Sequence, residues 1–297
     1  MKLLRWGWSE YESPELPGLP HGVEAIAATG TDAPLEEAEI LVVPSTVRVT
    51  ADAVRRLARC RLVITTTSGF DQLDLPALRR AGIPCARLPL ARRDAVVDTA
   101  LGMILSLTRR LGRFQAAASA GLWERPRLAD YGATLLGTVG VVGVGVIGSR
   151  MVEVLEALGA RVLRCDPILT DGLPLETVIR DSDVVTLHCE LTEANRGVIG
   201  RAQIGDMRRG ASLVNTARGP LVDVTAAAEA VRNGHLGGLA LDVFPAEPAS
   251  LAPFVDPRIL VTPHAAGWHP GLGAKIAEGV AEAVAALIAG RDVPFRI

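Results

Sequence analysis

Three polar residues, Arg218, Glu247 and His264, each stand just beyond an apolar, strand-length run in the last third of this 297-residue chain. Their settings are Asn215-Thr216-Ala217-Arg218-Gly219, Phe244-Pro245-Ala246-Glu247-Pro248 and Pro263-His264-Ala265-Ala266-Gly267. These types suit hydride transfer at a carbonyl. A guanidinium orients a carboxylate and polarises the carbonyl, and an imidazole gives or takes the hydroxyl proton. A carboxylate bonded to the second ring nitrogen fixes the tautomer and favours the imidazolium. Taken singly, each is an ordinary loop residue. Their placement behind three successive strands of one sheet makes them a set.

The element that must position them is the stretch 139–167. It opens on the apolar, β-branched run Val139 to Val142. Glycines follow at G-x-G-x-x-G spacing: Gly143, Gly145 and Gly148. A helical segment then carries Met151, Leu155 and Leu158 on one face and stops at Gly159. A second strand, 161–165, ends in Asp166. The first glycine permits a tight turn, the second admits a pyrophosphate to the backbone, and the third lets helix and strand lie close. The helix start offers the free N–H groups of Val146 and Ile147 and a positive dipole end. Asp166 is placed to accept both hydroxyls of an adenosine ribose. It would repel a 2′-phosphate, and no Arg or Lys follows in Pro167, Ile168 or Leu169. The expected cofactor is NAD.

Composition narrows the rest. Hydrophobic residues make up 49% and charged residues 22% of the chain, enough apolar material for two packed α/β domains. A net charge of -2 gives no reason to expect nucleic acid or an anionic membrane as partner. The cysteines, at 60, 85, 165 and 189, have no metal-ligand spacing, so no metal is expected. The N-terminus has no long apolar run, and no stretch is long enough for a membrane span, which points to the cytoplasm.

Residues 1–93 alternate strand-like runs (3–6, 23–27, 40–43, 62–65 and 84–88) with helical ones (51–59 and 75–81), the pattern of a small doubly wound unit. Its loop Thr67-Ser68-Gly69-Phe70-Asp71 follows the fourth strand and offers backbone N–H groups to a small anion. Residues 96–113 read as one long apolar helix, expected to cross between domains or to make a subunit contact. The tract 116–136 is less regular. Six strand-like runs follow (139–142, 161–165, 183–187, 211–215, 237–242 and 259–262), expected as two βαβαβ halves. A continuous amphipathic helix over 272–289 is positioned to return to the first domain.

The segments TTTSGFDQLDL (65–75), the glycine unit, VVTLHCELT (184–192), LVNTARGPLVD (213–223), ALDVFPAEP (240–248) and TPHAAG (262–267) together resemble the D-isomer-specific 2-hydroxyacid dehydrogenases, in that family's order. The resemblance implies two doubly wound parallel-sheet domains. A flavodoxin-like substrate domain (1–93 and 270–297) would carry an inserted NAD-binding Rossmann domain (94–269). It implies Arg218, Glu247 and His264 as the catalytic set, and Ser68 and Gly69 as receivers of the substrate carboxylate alongside Arg218. It adds His188, Thr216, Ala217, Asp242 and Gly267 to the cofactor contacts, and it implies a homodimer. The activity implied is interconversion of a small 2-oxo acid and its D-2-hydroxy acid. An NAD(H)-sensing regulatory protein and a phosphite- or formate-type dehydrogenase are the alternatives on the same fold.

Two departures from the family pattern stand out. Leu88-Pro89-Leu90-Ala91-Arg92-Arg93 replaces a usual Pro-Gly, with Asp98 for a usual Glu, and Glu190 stands where proline is usual. Arg92 and Arg93 are therefore candidates to read a second anionic group on the substrate, a carboxylate, phosphate or phosphonate.

Overall fold

A computed structural model describes residues 1–9, 12–123 and 137–297. The chain divides into two compact units, residues 1–93 with 268–297, and residues 94–267. In the first, strands β1 (Lys2–Trp6), β2 (Glu24–Ala28), β3 (Ile40–Val43), β4 (Leu62–Thr65) and β5 (Cys85–Arg87) form a parallel sheet of order β2-β1-β3-β4-β5. The central strands β3 and β4 read ILVV and LVIT and are buried throughout. That is the composition of a parallel strand covered on both faces. Helices α1 (Ala51–Arg56) and α2 (Leu75–Arg80) start where Thr50 and Asp74 accept the N–H of Ala53 and Ala77.

In the second unit, β6 (Thr138–Val142), β7 (Arg161–Cys165), β8 (Val184–Leu187), β9 (Ser212–Asn215), β10 (Gly238–Leu241) and β11 (Ile259–Val261) pair in the order β11-β10-β9-β8-β6-β7, all parallel. The expected two equal halves are corrected here. Only β7 lies on one side of β6, because the connection from β7 to α6 (Leu175–Asp181) is made of turns and adds no edge strand. The winding therefore repeats that of the first sheet, with one strand more.

The single long helix expected over 96–113 is also corrected. α3 (Arg93–Thr108) and α4 (Leu111–Ser119) are separate, and Arg110 between them sits in the left-handed region at φ 54°. Nor does α3 bridge. Val97, Ala100, Met103, Ile104 and Leu107 pack with Val139, Val141, Val184, Val214 and Ala240 on one face of the second sheet. Helix α5 (Val146–Ala157) shares that face through Met151 and Leu155, while α7 (Arg201–Asp206) and α8 (Val224–Arg232) cover the other with α6. In the first unit, α9 (Leu272–Ile288) lays Leu272, Ile276, Val280 and Val284 against Leu3, Ile40, Leu62 and Ile64.

The expected irregular tract 116–136 is helical as far as Ser119, and its part 124–136 lies outside the described residues. Among the described residues no helix is long and apolar enough to cross a membrane, and no group of acidic, Cys and His side chains is arranged to hold a metal. The four cysteines are free. Burial pushes the thiols of Cys60, Cys85 and Cys189 up to about 11, which leaves them poor nucleophiles.

Candidate active site

The catalytic candidates share the carboxyl edge of the second sheet. His264 Nδ1 bonds Glu247 Oε2 at 2.7 Å, and the other carboxylate oxygen accepts the Phe244 N–H at 2.9 Å. The imidazole is 48% and the carboxylate 35% exposed, so the pair is held from beneath and open to a ligand. Partial burial pushes Glu247 upward, but the bonds from His264 and Phe244 outweigh it, aided by the charges of His264 and Arg218, and the carboxyl lies below its ordinary range. Glu247 thus stays ionised and aims the ring.

His264 itself is in the left-handed region, at φ 55°. A non-glycine residue is uncommon in this region, His less so than most, and it is held there by its surroundings. Asp242, 1% exposed, is what holds it. Its backbone carbonyl accepts the His264 N–H at 2.8 Å, and its Oδ1 accepts Thr262 Oγ1 at 2.6 Å and the Ala265 N–H at 2.8 Å. The Ala266 N–H reaches both carboxylate oxygens. Asp242, expected as a cofactor contact, is in this structure the anchor of the turn that presents His264.

Arg218 begins the 3-10 turn Gly219–Leu221 after β9. Its carbonyl accepts Asn215 Nδ2 at 2.9 Å, and its guanidinium donates to Ala217 O at 2.7 Å. A Cβ on Gly219 would fall 1.9 Å from the Phe244 carbonyl carbon, so only glycine lets this loop close on the Phe244–Glu247 loop. That approach brings the charge of Arg218 to Glu247.

The cofactor candidates are distributed along the same edge. Gly145 is the uncapped first position of α5, and the space where its Cβ would project is open. The N–H groups of Val146, Ile147 and Gly148 lie in the first turn and have no intrahelical acceptor. Gly148 packs against the strand side, where an added Cβ would lie 1.9 Å from Gly143 O. Asp166, at the tip of β7, accepts the Val144 N–H at 2.7 Å and the Ile168 N–H at 2.9 Å. A carboxylate has room for further donors beyond these two. Ala217 donates its N–H to Asn215 Oδ1, and Gly267 ends the unit. The hydroxyl of Thr216 is buried and meets no partner among the described residues. An open, uncapped helix start, an acid at the tip of the next strand and an orphaned hydroxyl fit a dinucleotide carrying two ribose hydroxyls.

His188 lies beside Thr186, with 3.0 Å between its Nε2 and Thr186 Oγ1. Burial pushes its imidazole down to about 4. The unfolded chain takes up the proton near pH 6.5 and the folded one only near 4, so stability rises with pH across that window and is lost as pH falls through it. From pH 7 to pH 5 the wild type is expected to lose about 2 kcal/mol that a His188→Asn variant keeps. Urea unfolding midpoints at the two pH values measure this difference.

In the first unit, Ser68 and Gly69 follow β4. Thr67 Oγ1 donates to Gly69 O at 2.8 Å, and Arg87 donates to Ser68 O at 3.1 Å. The two candidate arginines have different settings. Arg93 is the first residue of α3, whereas Arg92 turns inward and donates to Glu12 Oε1 at 2.7 Å. Glu12 also holds Arg5, at 2.8 Å, with both of those side chains 1% exposed. Arg5 and Glu12 were not among the sequence candidates. The signal available for Arg5 was a charge set between the apolar residues Leu4 and Trp6 of the strand KLLRW.

Comparison with known proteins identifies the family. Residues 101–266 match the family described as D-isomer specific 2-hydroxyacid dehydrogenase, NAD binding domain. The chain is 31% identical over 290 residues to the glycerate dehydrogenase of Methylorubrum extorquens, spanning 92% of this chain and 91% of that protein. It is 33% identical over 221 residues to the hydroxypyruvate reductase of Thermotoga maritima, 72% of each. The crystal structure of the Aquifex aeolicus D-lactate dehydrogenase, complexed with NAD and lactic acid, matches with a TM-score of 0.81 at 26% identity, over 97% of this chain and 96% of that one. The chain belongs to the D-isomer-specific 2-hydroxyacid dehydrogenases, oxidoreductases that act on CH–OH donors with NAD.

Proposed function

We propose that this protein interconverts a small 2-oxo acid carrying a second anionic group and the corresponding D-2-hydroxy acid. The observation that carries the reading is the His264–Glu247 pair at 2.7 Å, exposed at the carboxyl edge of the cofactor sheet with Arg218 close enough to bias the carboxylate.

His264 Nε2, the ring nitrogen left free of Glu247, gives a proton to the substrate oxygen in reduction and takes it back in oxidation. Glu247 keeps the ring in one tautomer and supports its charged form, and Asp242 holds the turn that aims it. Arg218 pairs with the substrate carboxylate and polarises its neighbouring carbonyl. The backbone of Ser68 and Gly69 offers N–H groups to a substrate carboxylate, which makes residues 1–93 and 268–297 the substrate domain. Gly143, Gly145, Val146, Ile147 and Gly148 hold the pyrophosphate of NAD and Asp166 its adenosine ribose, while His188, Thr216, Ala217, Asp242 and Gly267 line the remainder. Bound NAD supplies the hydride acceptor, and NADH the hydride donor. The exposed apolar residues Leu111, Leu122 and Trp123 suit a homodimer contact on the helical arm of the NAD-binding unit, and the reading places the protein in the cytoplasm.

The test is NADH consumption over a panel of 2-oxo acids, each monoanion paired with a relative bearing a second carboxylate or phosphate, with the product's configuration analysed. The reading expects D-2-hydroxy acids and faster turnover of the doubly charged members. L-products, or no turnover with NADH binding intact, contradict the dehydrogenase assignment. Preference for the monoanions contradicts the second charge alone.

A further inference from the structure

The first unit contains a cationic cluster that the catalytic reading does not use. Arg5 is the penultimate residue of β1, Thr66 follows β4, and Arg92 follows the turn after β5. All lie at the carboxyl end of the sheet β2-β1-β3-β4-β5. In an open sheet wound in this order, ligands bind beyond the carboxyl ends, where the winding reverses between β1 and β3. Glu12 ties the cluster together. Its Oε2 accepts Arg5 Nη2 at 2.8 Å, and its Oε1 accepts Arg92 Nη2 at 2.7 Å and Thr66 Oγ1 at 3.0 Å.

The charges and donors in this cluster do not balance. Among the described residues, two guanidinium groups face one carboxylate, which leaves one positive charge, with Arg5 1% and Arg92 13% exposed. Three of its buried guanidinium nitrogens, Nε and Nη1 of Arg5 and Nε of Arg92, meet no partner among the described residues. Buried guanidinium N–H groups require acceptors, and a structural ion pair with Glu12 needs only one arginine. A surplus charge with unused donors on two arginines held by one carboxylate is the complement of an oxyanion.

We propose that Arg5 and Arg92, organised by Glu12, form the subsite that receives the second anionic group of a doubly charged 2-oxo acid. The proposal rests on the dehydrogenase reading above. It narrows the earlier pair of arginine candidates to Arg92 and adds Arg5. Carboxylate and phosphate oxygens share the required chemistry, and the substrate pairs tell them apart.

The experiment compares wild type with Arg92→Gln on pyruvate against oxaloacetate, and on hydroxypyruvate against its 3-phosphate. The expected result is a fall of about tenfold or more in kcat/KM for the doubly charged partner of one pair, carried by KM, with the monoanions nearly unchanged. A second readout needs no turnover. Inorganic phosphate should raise the wild-type unfolding temperature above that in chloride of equal ionic strength, and Arg92→Gln should lose the difference. If Arg92→Gln does not fold, Arg92→Lys, which keeps the charge and removes the Nε donor, takes its place. Equal losses on both members of each pair, or lower thermal stability with the substrate ratio intact, make the cluster a structural pin for Glu12 and overturn the proposal. If no 2-oxo acid is turned over, the dehydrogenase reading fails by itself. The phosphate shift then decides: retained in wild type and lost in Arg92→Gln it supports the anion site, and absent from wild type it overturns it.

Discussion

His264→Ala is expected to lower kcat by about 10²–10⁴ while NADH affinity stays within a few-fold of wild type. The size follows from the role proposed for the ring: without it no group at that place would give or take the proton as the carbonyl is reduced. The selectivity follows from where it lies. The imidazole is about half exposed and its hydrogen-bond partner is Glu247, so its removal opens no core and leaves the cofactor glycines untouched. The backbone must be considered as well, because residue 264 is left-handed at φ 55°, where alanine carries a cost of about 1–2 kcal/mol. His264→Asn tolerates that conformation better and also lacks the ring. Both variants should lose kcat alike. If Asn restores the rate that Ala loses, the turn and not the imidazole carries the effect. Equal losses of rate and NADH affinity would make His264 structural.

Gly148→Ala is expected to do the reverse, striking the cofactor first. An added Cβ falls 1.9 Å from Gly143 O. Neither partner is the flexible end of a side chain, so α5 has to move away from the strand. Overpacking of this kind costs about 1–3 kcal/mol. The displaced helix start is the group proposed to offer its N–H donors to the pyrophosphate. NADH affinity should fall about tenfold or more, and the unfolding midpoint should drop with it. Fluorescence titration with NADH and a thermal melt read the two effects separately. Unchanged affinity would mean that α5 does not hold the pyrophosphate. With His264→Ala, this variant separates chemistry from cofactor binding.

Much of this architecture was legible because its signals are local. Runs such as ILVV and LVIT are short, β-branched and bounded by turn residues, and they became the buried central strands β3 and β4. The glycine spacing, the helix and the terminal Asp166 sit within one continuous stretch, so one reading captured them together. Arg218, Glu247 and His264 were visible because each lies in the loop that follows a strand.

What stayed hidden depends on pairing or on a single backbone angle. The break at Arg110 has neither proline nor glycine at the left-handed residue, and the apolar spacing runs straight through it. The unequal halves of the second sheet follow from which side of β6 receives β8, which composition does not encode. The task of Asp242 is set by N–H groups more than 20 residues away. The cluster of Arg5, Glu12 and Arg92 joins residues up to 87 positions apart, and each is an ordinary charge when read alone.

The most direct test of the dehydrogenase account uses NADH carrying deuterium at the transferable C4 position, with the best 2-oxo acid as substrate. The account predicts one deuterium at C2 of a D-2-hydroxy acid, with the hydroxyl proton drawn from solvent. An L-product, or a D-product without the label, would contradict it.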